Sequence, residues 1–410
     1  MWNARFLMAF FLTFTVPNVY PLTVDQAVNQ ALQNNPDLLA RRLEVEVARG
    51  QLAKAQIPLI ANPVMESFVS GKDRPPEEGG GKYTNYGLKL SQEFEIAGQR
   101  GLRISLAEKE LARLVLEIQD RERVLAFEVK EAFTRAQAAK GKKELTGQVV
   151  RLQEDLLHFT RLKFQAGEAS AMEVNLAEVE LSKSKKDLLL AEREGLESLL
   201  GLQALLGVPT DPSLNIEGEL LSDPLPFPDT GVIKKQTPSE RPDLKAASLE
   251  IDKTKTALDL AQRSAIPNIV LGGFYNRDEM RNDLGVSLSI SIPLFDRKQA
   301  EKKEAQARAA QARVTRVGLE MAVDREFREA ANALTSSQKE LALFKKEILD
   351  KSMENLALLN LAYREGKIGF FEVRVAQKET VETQFAYLET LGRARRAMNR
   401  LESVTGGNSK

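Results

Sequence analysis

The chain has no cysteine, which excludes disulfides, thiolate metal sites and a lipid-bearing N-terminal cysteine. Its single histidine, His158, sits in a helical run and reads as an ordinary polar position. The methionines are scattered too, so no metal cluster of recognisable spacing exists and no cofactor is implied. Neither a Ser–His–acid triad nor a paired-carboxylate constellation can be assembled, and enzymatic activity is not expected. Gly79-Gly80-Gly81 lacks the lysine–serine pair of a phosphate cradle and reads as a loop tip. Charge of one sign is missing as well. The 58 Lys and Arg balance 58 Asp and Glu, which argues for neither a nucleic acid nor an acidic partner. Past the N-terminus no apolar run reaches the roughly 18 residues of a membrane-crossing helix. Aromatic residues are few, at 6%, and Ala, Leu, Glu, Lys, Arg and Gln dominate, which is the composition of long helices or coiled coils.

What is present begins with a secretory signal. Arg5 precedes the apolar run Phe6 to Val16, followed by Pro17 and a polar stretch, and removal is expected between Thr15 and Pro21. An exported chain without a membrane helix is either soluble or a barrel. The segment Leu284 to Pro293 points to the second. Leu284, Val286, Leu288, Ile290 and Ile292 alternate with Gly285, Ser287, Ser289 and Ser291, a strand with one apolar and one polar face. About nine to eleven tilted residues of this pattern cross a bilayer as part of a β-barrel, and the five apolar positions would face lipid. A partner strand, Asn268 to Asn276, precedes it across the loop 277–283. An earlier pair is expected at Asn62 to Gly71 and Tyr83 to Phe94, around the polar loop Gly71 to Lys82.

The remainder reads as helix. One amphipathic helix is expected up to Ile57, ended by Pro58 and Pro63. Past Gly98 a breaker-free run reaches Phe164, with Ile104, Leu111, Ile118, Leu125, Ala132 and Ala139 at sevenfold spacing. Such a helix would be roughly 100 Å long. The chain turns at Phe164 to Ser170 and returns through Val174, Leu181 and Leu188. After a Pro-, Asp- and Ser-dense linker the plan repeats. Asn35-Pro36-Asp37-Leu38 is answered by Arg241-Pro242-Asp243-Leu244, and Ile57-Pro58 by Ile266-Pro267. A second long helix carries Phe327, Leu334, Leu341 and Ile348 at sevenfold spacing. Phe164-Gln165-Ala166-Gly167 is answered by Tyr363-Arg364-Glu365-Gly366, and Glu173-Val174 by Glu372-Val373. Four matched landmarks in one order mark an internal duplication. The expected organisation is a signal peptide at 1–21, a first repeat at 22–208, an equatorial linker at 209–237, a second repeat at 238–405 and a disordered tail at 406–410.

With these residues laid out, the chain resembles the TolC family of outer-membrane efflux proteins from Leu22 to about Val404. The duplicated (Asn/Arg)-Pro-Asp-Leu and the Phe/Tyr-x-x-Gly-x-x-x-x-x-Glu-Val turn carry the resemblance. Leu90 to Ile104 is most similar to the branch associated with cobalt–zinc–cadmium and copper–silver efflux. The fold this implies is mainly α with a small β part. Long antiparallel coiled-coil helices form a periplasmic α-barrel, and four strands per chain contribute to a transmembrane β-barrel. Physics requires an oligomer, because four strands cannot close and open edges are not tolerated in lipid. The resemblance makes it a homotrimer in the outer membrane, embedded in lipid, joined by a periplasmic adaptor (membrane fusion) protein to an inner-membrane pump of the RND type.

The resemblance also assigns the site. The helix–turn–helix tips would close the tunnel and receive the adaptor, which singles out Phe164, Gly167 and Glu173, and Tyr363, Arg364, Gly366, Lys367 and Glu372. An acid repeated around a narrow bore would favour cations. Equally, Glu173 and Glu372 are first-turn acids favoured by the helix dipole, and the glycines supply positive φ. Some relatives carry a basic residue two after the second glycine and an acid three beyond Glu372. Ile368 and Val375 stand there in this chain, so a salt-bridge lock would fall to Arg364, Glu365 and Lys367. The function implied is a passive exit duct, with heavy-metal cations as candidate cargo. The alternative from another class is a structural or adhesive coiled-coil envelope protein, which would need no strand pairs.

Overall fold

A computed structural model describes residues 22–210, 214–218, 220, 241–278, 281–344 and 346–406. The expected signal peptide, most of the linker, and all of the tail except Gly406 lie outside these residues. The first repeat comprises α1 (Val24–Asn34), α2 (Pro36–Gln56), β1 (Val64–Arg74), β2 (Gly81–Phe94), α3 (Gln99–Gln165) and α4 (Ala171–Leu206). The second comprises α5 (Pro242–Arg263), β3 (Ile269–Asp278), β4 (Arg281–Ile290), α6 (Gln299–Leu343), α7 (Lys346–Arg364) and α8 (Phe370–Val404). Two compact units cut across the repeats. One holds the described residues of Met1–Asn35, Leu125–Pro228 and Ala330–Leu401. The other holds those of Pro36–Val124, Asp229–Glu329 and Glu402–Lys410.

The second unit contains the sheet, antiparallel throughout in the order β1-β2-β3-β4. The alternating sequence produces two unlike faces. On one, Leu88, Leu90, Leu271, Leu284, Val286, Leu288 and Ile290 all lie exposed, Leu284 at 86% and Val286 at 91%. A water-facing sheet would hide these positions. The other face mixes polar groups with a few large apolar ones: Lys89 pairs with Glu66 at 3.4 Å, and Asn268 donates to Glu93 at 2.8 Å. Here the ring of Phe68 fills the space a Cβ on Gly87 would need, and the ring of Phe274 does the same over Gly285. Each aromatic is directly opposite its glycine across a hairpin.

Strand ends depart from the sequence expectation. Backbone pairing continues into polar residues, with Arg277 opposite Asn282 and Asp278 opposite Arg281, so the expected loop 277–283 is much shorter. Gly71 to Arg74 likewise pair with Gly81 to Thr84, which shortens the first loop. Ladder hydrogen bonds come from the main chain and need no apolar side chains. Conversely, β4 stops at Ile290, ahead of Pro293, which has no N–H to offer a neighbour. Ile292 therefore lies beyond the strand, still 76% exposed.

Two expected helices are each divided. The helix up to Ile57 breaks at Asn35, because Pro36 forces the preceding residue into extended backbone and begins α2. Asn35 uses the break: its side-chain amide donates to the Leu205 carbonyl at 2.9 Å, serving an end carbonyl of α4. The matching Arg241 is also buried, held by both oxygens of Asp243 (2.7 and 3.0 Å) and by Glu326 at 3.1 Å. The second long helix ends at Leu343, where the Phe344 N–H closes an i to i−3 turn on Leu341, and its ring turns to Tyr387 of α8.

Helix seams use small residues. Ala177, Ser184, Ala191 and Ser198 of α4 recur every seven residues and are all buried, which lets backbones approach closely. In the sheet unit, α3 and α5 are tied by charge: Glu110 meets Arg113 at 2.7 Å and Lys253 at 2.8 Å. The Arg113 hydrogen bond is the largest influence holding the Glu110 carboxyl down at about 2. Among the described residues no helix is long and apolar enough to cross a membrane.

Candidate functional site

Both helix–turn–helix tips lie in the first unit and share one backbone scheme. At the first, the Gly167 N–H donates to Phe164 (3.0 Å) and the Glu168 N–H to Lys163 (2.8 Å). At the second, Gly366 donates to Tyr363 (3.0 Å) and Lys367 to Ala362 (2.8 Å). This 6→1 closure needs a left-handed residue, and the glycines stand at φ +79° and +73°. The acids follow the same symmetry. Glu173 turns its carboxylate back to the Ser170 N–H at 2.7 Å and Glu372 to the Gly369 N–H at 2.8 Å, so each serves a helix start. Ser170 completes a capping box with its hydroxyl, which Gly369 cannot do.

The tips differ in what they expose. Phe164 is 46% exposed, whereas its counterpart Tyr363 is 4% exposed. Tyr363 packs with Leu156, Leu157, Ala177, Phe370 and Val373, a core drawn from α3, α4, α7 and α8. Its hydroxyl meets the Thr160 hydroxyl at 2.9 Å, and burial pushes its pKa above the ordinary value. Arg364 lies over the Phe159 ring at 4.1 Å and 4.0 Å from Asp155, so it links one hairpin to the other. Lys367 pairs locally, with Glu365. A second link between hairpins, absent from the sequence reading, joins Arg374 to Glu180 at 2.5 Å.

The sequence reading also missed a polar seam. Carried past Ala139, the sevenfold count lands on Thr146, Gln153 and Thr160. Thr146 and Thr160 are buried, and each satisfies its hydroxyl on its own helix, at Lys142 (2.7 Å) and Leu156 (2.8 Å). Gln153 donates to the buried Gln377, which donates in turn to Asn360. The spacing was the available signal, hidden because the residues turn polar. Of the residues expected to face lipid, Leu284, Val286, Leu288 and Ile290 belong to the sheet unit and lie exposed on one face of β4.

Among the described residues no group of His, Cys, Asp or Glu is arranged to hold a metal ion. A sheet with an apolar outer face and duplicated helical hairpins define an outer-membrane channel fold. The chain belongs to the outer membrane efflux protein family, whose profile matches residues 27–208 and 235–407. It is 26% identical over 278 residues to the nickel-cobalt-cadmium resistance protein NccC of Alcaligenes xylosoxydans xylosoxydans, covering 66% of this chain and 61% of that one. It is 24% identical over 274 residues to the nickel and cobalt resistance protein CnrC of Cupriavidus metallidurans, covering 66% and 64%. The matched stretches thus span under two thirds of those relatives. A crystal structure of a membrane protein from Pseudomonas aeruginosa superposes with a TM-score of 0.78 at 21% identity, over 94% of this chain and 90% of that one. The resemblance to a TolC-like fold and a metal-resistance branch agrees with these findings, and the family is one of efflux proteins rather than enzymes.

Proposed function

We propose that this chain is the outer-membrane exit duct of a tripartite efflux system, passively conducting cargo delivered by an inner-membrane pump, of the RND type, through a periplasmic adaptor. The observation that carries this reading is the sheet's row of exposed apolar residues, which lipid would cover, in a chain of the efflux family. Three copies close the barrel. Divalent nickel, cobalt and cadmium are the proposed cargo, by similarity to the two resistance proteins. The exposed tip residues Phe164, Arg364 and Lys367 form the adaptor contact, and Gly167, Gly366, Glu173 and Glu372 hold the turns that present them. Tyr363 acts from inside the tip, by tying the two hairpins together. The repeats at 22–208 and 238–405 are the proposed evolutionary units, with the linker at 209–237 between them. Deleting the coding sequence should lower tolerance to these three metals and raise cellular metal content, and the wild-type chain should restore both. Unchanged tolerance and content for all three would remove them as cargo.

A further inference from the structure

Phe68 and Phe274 hold the same place in the two hairpins. Each stands on the first strand, directly opposite a glycine of the second, Gly87 and Gly285. Those glycines have ordinary strand backbone, without the positive φ of the turn glycines, so conformation does not account for them. Space does. A Cβ on Gly285 would lie 2.5 Å from Cζ and 2.8 Å from Cε1 of Phe274, and one on Gly87 would lie 2.6 Å from Cζ of Phe68, closer than such atoms approach. Both rings therefore lean sideways over a glycine, although strand side chains usually stand nearly perpendicular to the sheet. Phe68 remains 53% exposed, with its free side turned away from the wall.

In the proposed duct this face of the sheet lines the bore. Three copies of four strands make a barrel between the size of about eight strands, which its own side chains fill, and about sixteen, which encloses an aqueous channel. At that size the posture of large inward side chains decides how much of the bore is open. We propose that Gly87 and Gly285 set the bore, by giving Phe68 and Phe274 a place to lie against the wall. A methyl group at either glycine would drive the ring into another staggered well, out into the path of cargo. On its other flank Phe274 has Lys89, held by Glu66 at 3.4 Å, so the ring has no equivalent bed there. The inference rests on the reading of the sheet as part of a membrane barrel with this face inward. A ring over a glycine also covers backbone and stabilises a sheet. That role alone asks for no change in passage.

Because the chain has no cysteine, passage can be read with one reporter. Ser289 lies exposed on the same face, further from the hairpin turns than either ring, so Ser289→Cys reports on what has passed them. The full-length reporter chain is produced in cells and treated from outside with a bulky, uncharged maleimide that general porins exclude. A small maleimide serves as the control for an accessible thiol. Adding Gly285→Ala or Gly87→Ala should slow the bulky reagent severalfold and leave the small one unchanged, at equal amounts in the outer membrane. Adding Phe274→Ala to Gly285→Ala, or Phe68→Ala to Gly87→Ala, should return the rate at least to that of the reporter alone. Unchanged bulky labelling in both glycine variants would overturn the proposal, as would slowing that removal of the ring does not relieve. Failure of both glycine variants to reach the membrane, with the ring-less double variants failing too, would assign the glycines to assembly and also overturn it. A reporter in the outer membrane that neither reagent labels without any second change would contradict the inward placing of this face, and with it the barrel reading itself.

Discussion

At the second tip, Tyr363 and Thr160 share one buried hydrogen bond from unequal positions. Thr160 also donates to the Leu156 carbonyl, whereas the Tyr363 hydroxyl has Thr160 as its partner in a site 4% exposed. Removing one member therefore does not equal removing the other. Tyr363→Phe leaves the threonine hydroxyl satisfied and should weaken the tip by under about 1 kcal/mol. Thr160→Val strands a buried phenol and should weaken it by about 1–3 kcal/mol. Hydrogen exchange of the amides in 157–165 and 358–366 reads this directly: faster exchange is expected in both variants, more in Thr160→Val. The opposite order would mean that the hydroxyl pair does not hold the hairpins together.

The strand is the element where sequence and structure agree most closely, and for a physical reason. A period of two in β4 has one explanation, a sheet with unlike faces, and the exposed Leu284, Val286 and Leu288 occupy one of them. On this basis Leu288→Arg should lower the amount assembled in the membrane, since a cation on the lipid face near mid-bilayer costs about 2–4 kcal/mol. Ser289→Arg, on the polar face, should assemble normally. Quantifying both in isolated outer membranes checks it, and equal yields would contradict the assignment of faces. Strand ends were not legible, because residues such as Arg277 and Asp278 join the ladder through main-chain groups that side-chain pattern does not report. The tips were legible as Gly167 and Gly366, since few residues other than glycine accept a left-handed turn. The different burial of Phe164 and Tyr363 was not, because it depends on contacts of Tyr363 with α3, far away in sequence. The polar seam at Thr146, Gln153 and Thr160 escaped for the same kind of reason: a buried threonine is recognised only once its i−4 carbonyl is seen to satisfy it.

For the molecule as a whole, duplication is the governing fact. Each compact unit draws on both repeats, so neither repeat forms a unit by itself. The four strands leave two edges without a neighbour among the described residues, and in the proposed duct another copy meets them, so that assembly and membrane insertion become parts of one event. The proposed function requires that this protein open a water-filled path through lipid. The most direct measurement is the current across a planar bilayer after adding the purified, detergent-extracted chain. Discrete steps of uniform size are expected, absent with Leu288→Arg and present with Ser289→Arg. Folded wild-type protein that produces no steps and stays in the aqueous phase as a monomer would contradict the account.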